Sequence, residues 1–226
     1  MTKPRIVLLH ATQVAVAPVL SAFAKEWPEA ETANLLDDGL TLDRVANVDT
    51  ISNNLFERLE ALGQYALLAK ADGILVTCSA FGPAIDRMAE RLAIPVVKPN
   101  EAMFTSALTL GKRIGMLATF GPSVPTMEAE FYAYAEKHAP GAVIKTVLVD
   151  NAIDILRRGD EALHNWLVAD RANELADMDA VMLAHFSTSS AALEVKNKVA
   201  IPVLTAPGSA VLEMKRRIET RTASAP

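Results

Sequence analysis

The sequence predicts an α/β protein of two similar lobes, each a mostly parallel sheet flanked by helices. Three observations carry that expectation. Short apolar runs alternate with longer stretches of helical period, the runs are rich in Val, Ile and Leu as strands buried on both faces require, and the first half of the pattern recurs in the second.

In chain order the strand runs are RIVLLH (5–10), GILVT (73–77), IPVV (94–97), RIGMLAT (113–119), VIKTVLV (143–149), AVMLA (180–184) and IPVL (201–204). Between them lie NLFERLEALGQYALLAKA, FTSALTLG and SVPTMEAEFYAYAEKH, whose apolar residues return every three or four positions, the period of an amphipathic helix. NLLDDGL, with Asp37 and Asp38, reads as a solvated turn, although the two carboxylates also suit an ammonium group. The tail TASAP reads as a frayed end.

The repeat is legible residue by residue. Laid without a gap over DAVMLAHFSTSSAALEVKNKVAIPV, from Asp179, the segment DGILVTCSAFGPAIDRMAERLAIPV, from Asp72, matches in an Asp before the strand, the strand, a small polar turn, a helix and a closing AIPV. His185 falls on Cys78. At nearly the same offset, RIGMLATFG from Arg113 falls on RIVLLHATQ from Arg5. The repeat predicts lobes at 1–98 plus 206–226 and at 99–205, related by pseudo-twofold symmetry with the active site between them, because ligands of open parallel sheets bind at the carboxyl ends of the strands. Cys78 and His185 then approach one pocket from opposite sides, a geometry for removing and adding a proton on two faces of one carbon.

Composition narrows the partners. Of 226 residues, 51% are hydrophobic and 22% charged, a globular balance sufficient for two cores. A formal charge of −5 and a pI near 5.4 argue against nucleic-acid or anionic-membrane surfaces, which need clustered Lys and Arg. A single cysteine forms no internal disulfide, and the apolar run in MTKPRIVLLHA is too short for a signal peptide, so a cytoplasmic location is expected. No stretch approaches the roughly 20 apolar residues of a membrane span. Histidines 10, 138, 164 and 185 show no paired spacing, and AFGP and GPSVP lack the spaced glycines and lysine of a nucleotide loop; no metal and no cofactor are expected. His138 and His164 sit in amphipathic helices beside charged residues and are expected at the surface. The expected partner is a small carboxylate-bearing substrate, with a homo-oligomer left open.

LLHAT, ILVTCSAFGP, RIGMLATFGPSV and VMLAHFSTSS together resemble the aspartate/glutamate racemase superfamily, which includes hydantoin and allantoin racemases, maleate isomerase and arylmalonate decarboxylase. The resemblance covers most of the chain. It implies a two-lobed, cofactor-independent acid/base enzyme in which the Cys78 motif matches the family's first catalytic cysteine, with Ser79 at a substrate-binding position. The family's second cysteine is absent, and His185 stands in its place.

The chemistry can also be argued from the residues. A proton beside a carboxylate is poorly acidic, so its removal needs a positioned base and donors for the enediolate charge that develops. Cys78 precedes a helix beginning near Pro83, whose positive end is expected to lower the thiol pKa. The same effect at His185 is expected to keep the imidazole neutral. Thr119 and Ser123 in ATFGPSV, Ser187 and Thr188 in HFSTSS, Ser79, and His10 and Thr12 at the end of the first strand are the candidate substrate contacts. Taken alone, Ser123 and Thr188 read more readily as helix N-caps, and it is their convergence with the others that makes them candidates.

The expectation is an isomerase: a cofactor-independent racemase or epimerase acting at the carbon alpha to the carboxylate of a small amino acid or related compound, with Cys78 and His185 as the acid/base pair. The alternatives are a single-cysteine decarboxylase or cis-trans isomerase of the same superfamily, or a small-ligand-binding module without turnover.

Overall fold

The computed structural model describes residues 3–45 and 51–223. Cα packing divides the chain into two compact units, residues 1–99 with 210–226 and residues 100–209.

The first unit contains β1 (Arg5–His10), α1 (Val16–Glu26), β2 (Glu31–Leu36), α2 (Gly39–Val45), α3 (Asn53–Leu68), β3 (Gly73–Val76), α4 (Gly82–Glu90) and β4 (Val96–Val97). Its four strands are all parallel in the order β2-β1-β3-β4. Ile6 through Leu9 and Gly73 through Val76 are buried without alternation, because helices cover both faces of a parallel sheet. One face carries a core of Val7, Leu9, Leu55, Leu59, Ile74, Val76, Phe81 and Met88, with Cys78 packed against it.

The second unit contains α5 (Pro99–Leu110, which begins at the boundary), β5 (Arg113–Ala118), α6 (Val124–His138), β6 (Val143–Leu148), α7 (Ala152–Arg157), α8 (Glu161–Asp170), β7 (Ala180–Leu183), α9 (His185–Thr188), α10 (Ala192–Lys196) and β8 (Val203–Thr205). Its sheet is again all parallel, in the corresponding order β6-β5-β7-β8. Leu117, Val168, Leu175, Val181, Leu183 and Val195 fill its core. Helix α11 (Ala206–Ala223) starts in the second unit and ends in the first, where Arg217 donates to the Val96 carbonyl at 3.0 Å.

The two units repeat one another in hydrogen-bond detail. In the first, the Arg5 N–H donates to Asp72 Oδ2 at 2.8 Å while the Asp72 N–H donates to the Arg5 carbonyl at 2.7 Å. In the second, Arg113 and Asp179 make the same pair of bonds at 2.8 and 2.7 Å. The aspartate that precedes each strand run therefore fastens that strand to its neighbour.

Two sequence expectations change. The strand β2, ETANLL, was not among the apolar runs: it is an edge strand, exposed or half-buried throughout, with Thr32 as its single β-branched residue. His164, expected at the surface, is fully buried because its face of α8 packs toward α10 and the Ser190 turn. Asp37 does lie at a turn, and its carboxylate is gripped by Arg58 Nη2 at 2.7 Å. No helix among the described residues is long and apolar enough to cross a membrane.

Candidate active site

Cys78 follows β3 directly. The Thr77 N–H donates to the Leu9 carbonyl at 3.0 Å, continuing the β1–β3 ladder by one residue, and the chain then turns into a 3-10 segment, Ser79–Phe81, before α4 begins. Phe81 is buried in the core beneath the turn and holds it down. The side chain of Ser79 lies outside the described residues.

The expected lowering of the Cys78 pKa is not what the structure gives. Burial against the core pushes the thiol above its ordinary value, and the Ala80 N–H, which favours the thiolate, offsets only part of this. The 3-10 segment stands between the sulfur and the first turn of α4, so the helix end expected to stabilise the thiolate is displaced from it. Cys78 is a protonated thiol at neutral pH.

His10 ends β1 and is fully buried. Its Nε2 lies 2.9 Å from Asn34 Oδ1 and its Nδ1 lies 2.9 Å from Thr77 Oγ1. An amide oxygen only accepts, so Nε2 carries the proton and Nδ1 accepts from the Thr77 hydroxyl, whose other contact, the Leu9 carbonyl, is longer at 3.3 Å. Burial lowers the pKa of the ring, with the Asn34 contact opposing. His10 thus grips the residue immediately before Cys78. Thr12 stands two positions further on, half-buried at the start of the turn Gln13–Ala15, with no side-chain capping bond.

In the second unit the corresponding residue is His185. The Ala184 N–H donates to the Leu117 carbonyl at 2.9 Å, as Thr77 does to Leu9, so His185 occupies in its sheet the place that Cys78 occupies in the other. The residue is in the left-handed region, at φ 68°, which a side chain beyond Cβ makes costly by about 1–3 kcal/mol and which clusters at functional sites.

Ser123 and His185 are brought together: Ser123 Oγ lies 2.8 Å from His185 Nε2 and 2.8 Å from the Phe120 carbonyl. The hydroxyl proton goes to the carbonyl, so Nε2–H donates to Ser123, and the Nδ1 lone pair is left buried without a hydrogen bond. Burial lowers the His185 pKa, with the Ala184 carbonyl opposing in part. Desolvation, and not the helix end invoked from the sequence, is the largest cause of that lowering.

Thr119 and Thr188 also meet, with hydroxyl oxygens 3.3 Å apart and both side chains buried. Neither Ser123 nor Thr188 caps a helix through its side chain. Ser187 is half-buried beside them, and its carbonyl lies 3.3 Å from Ser190 Oγ. Sequence reasoning missed Asn34 and Thr77, which orient His10, and Asn165 and Ser190 behind the His185 turn. Asn34 lay in the unrecognised strand β2, and Asn165 carries no motif. Among the described residues no group of His, Cys, Asp and Glu could hold a metal ion.

Comparison with known proteins bears on these turns. The protein-family model described as Asp/Glu/Hydantoin racemase matches residues 11–183. No curated protein sequence gives a significant match. Among solved structures, the chain is similar to allantoin racemase from Klebsiella pneumoniae, with a TM-score of 0.73 at 17% identity over 97% of this chain and 89% of that one. It is similar to the aspartate racemase of Picrophilus torridus, with a TM-score of 0.72 at 12% identity over 96% and 94%. Unliganded arylmalonate decarboxylase aligns with a TM-score of 0.64 at 15% identity over 96% and 93%. The match spans the Cys78 turn and runs to the end of β7 at Leu183, two residues short of His185, and on it the chain belongs to the Asp/Glu/hydantoin racemase family.

Proposed function

We propose that the protein is a cofactor-independent racemase or epimerase that moves a proton at the carbon alpha to a carboxylate of a small amino acid or related compound. The observation that carries this reading is the register equivalence of Cys78 and His185: each stands one residue past an N–H that closes the ladder onto the central strand of its sheet. Family membership supports a reaction of this class.

The protonation states give the pair a direction. Neutral His185 takes the alpha proton at a ring nitrogen, the carbanion spreads its charge into the carboxylate, and the Cys78 thiol returns a proton to the opposite face of the same carbon. That leaves an imidazolium and a thiolate, and a proton passed from one to the other through water restores the resting state. Thr12, Ser79, Thr119, Ser187 and Thr188 supply hydroxyls to the carboxylate, Ser123 fixes the imidazole, and His10 contributes through Thr77.

A single-cysteine decarboxylase is the second reading, and the raised thiol pKa favours it: a protonated Cys78 suits delivery of a proton to the carbanion left by departing carbon dioxide. Arylmalonate decarboxylase shares the fold.

The test is proton exchange followed by NMR in heavy water, with L- and D-aspartate and glutamate, allantoin, hydantoins and substituted malonates. Exchange with racemization, abolished in both Cys78→Ala and His185→Ala, supports the first reading. Carbon dioxide release that needs Cys78 and survives His185→Ala moves the assignment to the second. Turnover unchanged in Cys78→Ala defeats both.

A further inference from the structure

We infer that Asn165, on α8, is the positioning residue that holds the turn bearing His185. The inference rests on the reading of His185 as a proton carrier, but its geometry is independent of any substrate.

A histidine in the left-handed region persists only where the surroundings fix it from several sides. Ser123 fixes the ring. The backbone after His185 is tied by a hydroxyl: Ser189 Oγ donates to the Phe186 carbonyl at 2.6 Å, while Ser190 Oγ lies a longer 3.3 Å from the Ser187 carbonyl. These contacts are local to the turn and do not anchor it to the rest of the unit.

Asn165 supplies the anchor. Its Nδ2 donates to the Ser190 carbonyl at 3.1 Å and its Oδ1 accepts from Ser190 Oγ at 2.8 Å, so one amide grips both polar groups of one residue. The side chain is 5% exposed. The Ser190 carbonyl only accepts, which makes the opposite amide orientation unfavourable, and His164 Nδ1, 2.8 Å from the same Oδ1, then carries the proton and donates to it. The bidentate grip therefore exists in one orientation only, with a buried histidine behind it.

Losing Asn165 strands the Ser190 carbonyl and frees the turn, and the left-handed backbone at His185 relaxes. A relaxed His185 meets more water. The polar groups at the ring are Ser123 on Nε2 and the Ala184 carbonyl, and among the described residues no charged side chain hydrogen-bonds to it. Its titration is therefore a direct report on the turn.

The experiment is a pH titration of the His185 ring by NMR in the full, ligand-free protein labelled at histidine. Wild type is compared with Asn165→Ala, with Ser190→Ala, which removes the hydroxyl half of the same grip, and with Val168→Ala, a cavity in the same helix and core that removes no hydrogen bond of the turn. The expected result is a His185 midpoint below the ordinary 6.5 in wild type, raised toward it in Asn165→Ala and Ser190→Ala, and unmoved in Val168→Ala. An unmoved midpoint in folded Asn165→Ala overturns the inference; if that variant does not fold, Ser190→Ala decides in the same way. An equal shift in Val168→Ala also overturns it, because general loosening then suffices. A shift in Asn165→Ala alongside undiminished exchange in His185→Ala keeps the positioning role and defeats the catalytic reading instead.

Discussion

Ser123 Oγ lies 2.8 Å from His185 Nε2 and passes its own proton to the Phe120 carbonyl, so a hydroxyl at the start of a helix is spent on setting an imidazole tautomer. Ser123→Ala removes the acceptor and lets the ring rotate or change tautomer. Alpha-proton exchange is expected to slow about tenfold, the effect of roughly 1.4 kcal/mol. Ser123→Thr keeps the hydroxyl and should retain most of the rate. An exchange assay on the two variants checks this.

His10 and His185 both have pKa values lowered by burial, so below the ordinary value of 6.5 the unfolded chain binds protons that the folded chain refuses. Their contribution to stability is complete above that value and is lost as pH falls from it toward the lowered folded values. Urea midpoints should therefore drop between pH 7.5 and pH 5, and drop less in His185→Asn. A midpoint insensitive to pH over this interval contradicts the burial effect.

Cys78 runs the other way. With its pKa raised above the ordinary 9.0, stability is full below that value and declines as pH rises through it toward the folded value. Alkylation by iodoacetamide should be slower at pH 7.5 than that of a free thiol and should accelerate with a midpoint above 9.0. Fast alkylation at neutral pH would mean a thiolate, and with it the reverse direction for the proposed proton transfer.

Gly111 is constrained by Asp179. A Cβ on Gly111 would fall 2.2 Å from Asp179 Oδ2, the atom that accepts from the N–H groups of Lys112 and Arg113 at 2.8 Å each. Gly111→Ala should displace that carboxylate and cost about 1–3 kcal/mol, the range for lost bonds to a charged acceptor. Asp179→Ala should cost a similar amount, and the double variant should cost little more than either, since both remove one fastening. Chemical denaturation of the three variants measures it.

The central strands were legible because parallel strands covered on both faces must be apolar at every position, as RIVLLH and AVMLA are. The repeat was legible because Asp72 and Asp179 make the same bonds, which leaves the same residue before each strand. ETANLL was not, since an edge strand of half-exposed residues carries neither alternation nor a β-branched run. At the site, Cys78, His185, Thr119 and Thr188 stood out by type and by place after a strand. Asn34, Asn165 and Ser190 could not: they matter through tertiary hydrogen bonds that have no local sequence signature. The direction of the Cys78 shift was misjudged because the 3-10 segment between the thiol and α4 is invisible in SAFGP.

Helix α11 crosses from one unit to the other, and this sets an order on synthesis. Met214 lies beneath Gly73, where a Cβ would come within 2.6 Å of its sulfur, and Arg217 reaches the Val96 carbonyl; both leave the ribosome after the last residue of the second unit. The nascent chain therefore has everything the downstream unit needs while the upstream unit still lacks a wall, reversing the usual rule that the N-terminal domain matures first. Until α11 arrives, the sheet that carries Cys78 waits with one side open, and a chaperone that meets this protein during translation meets it there.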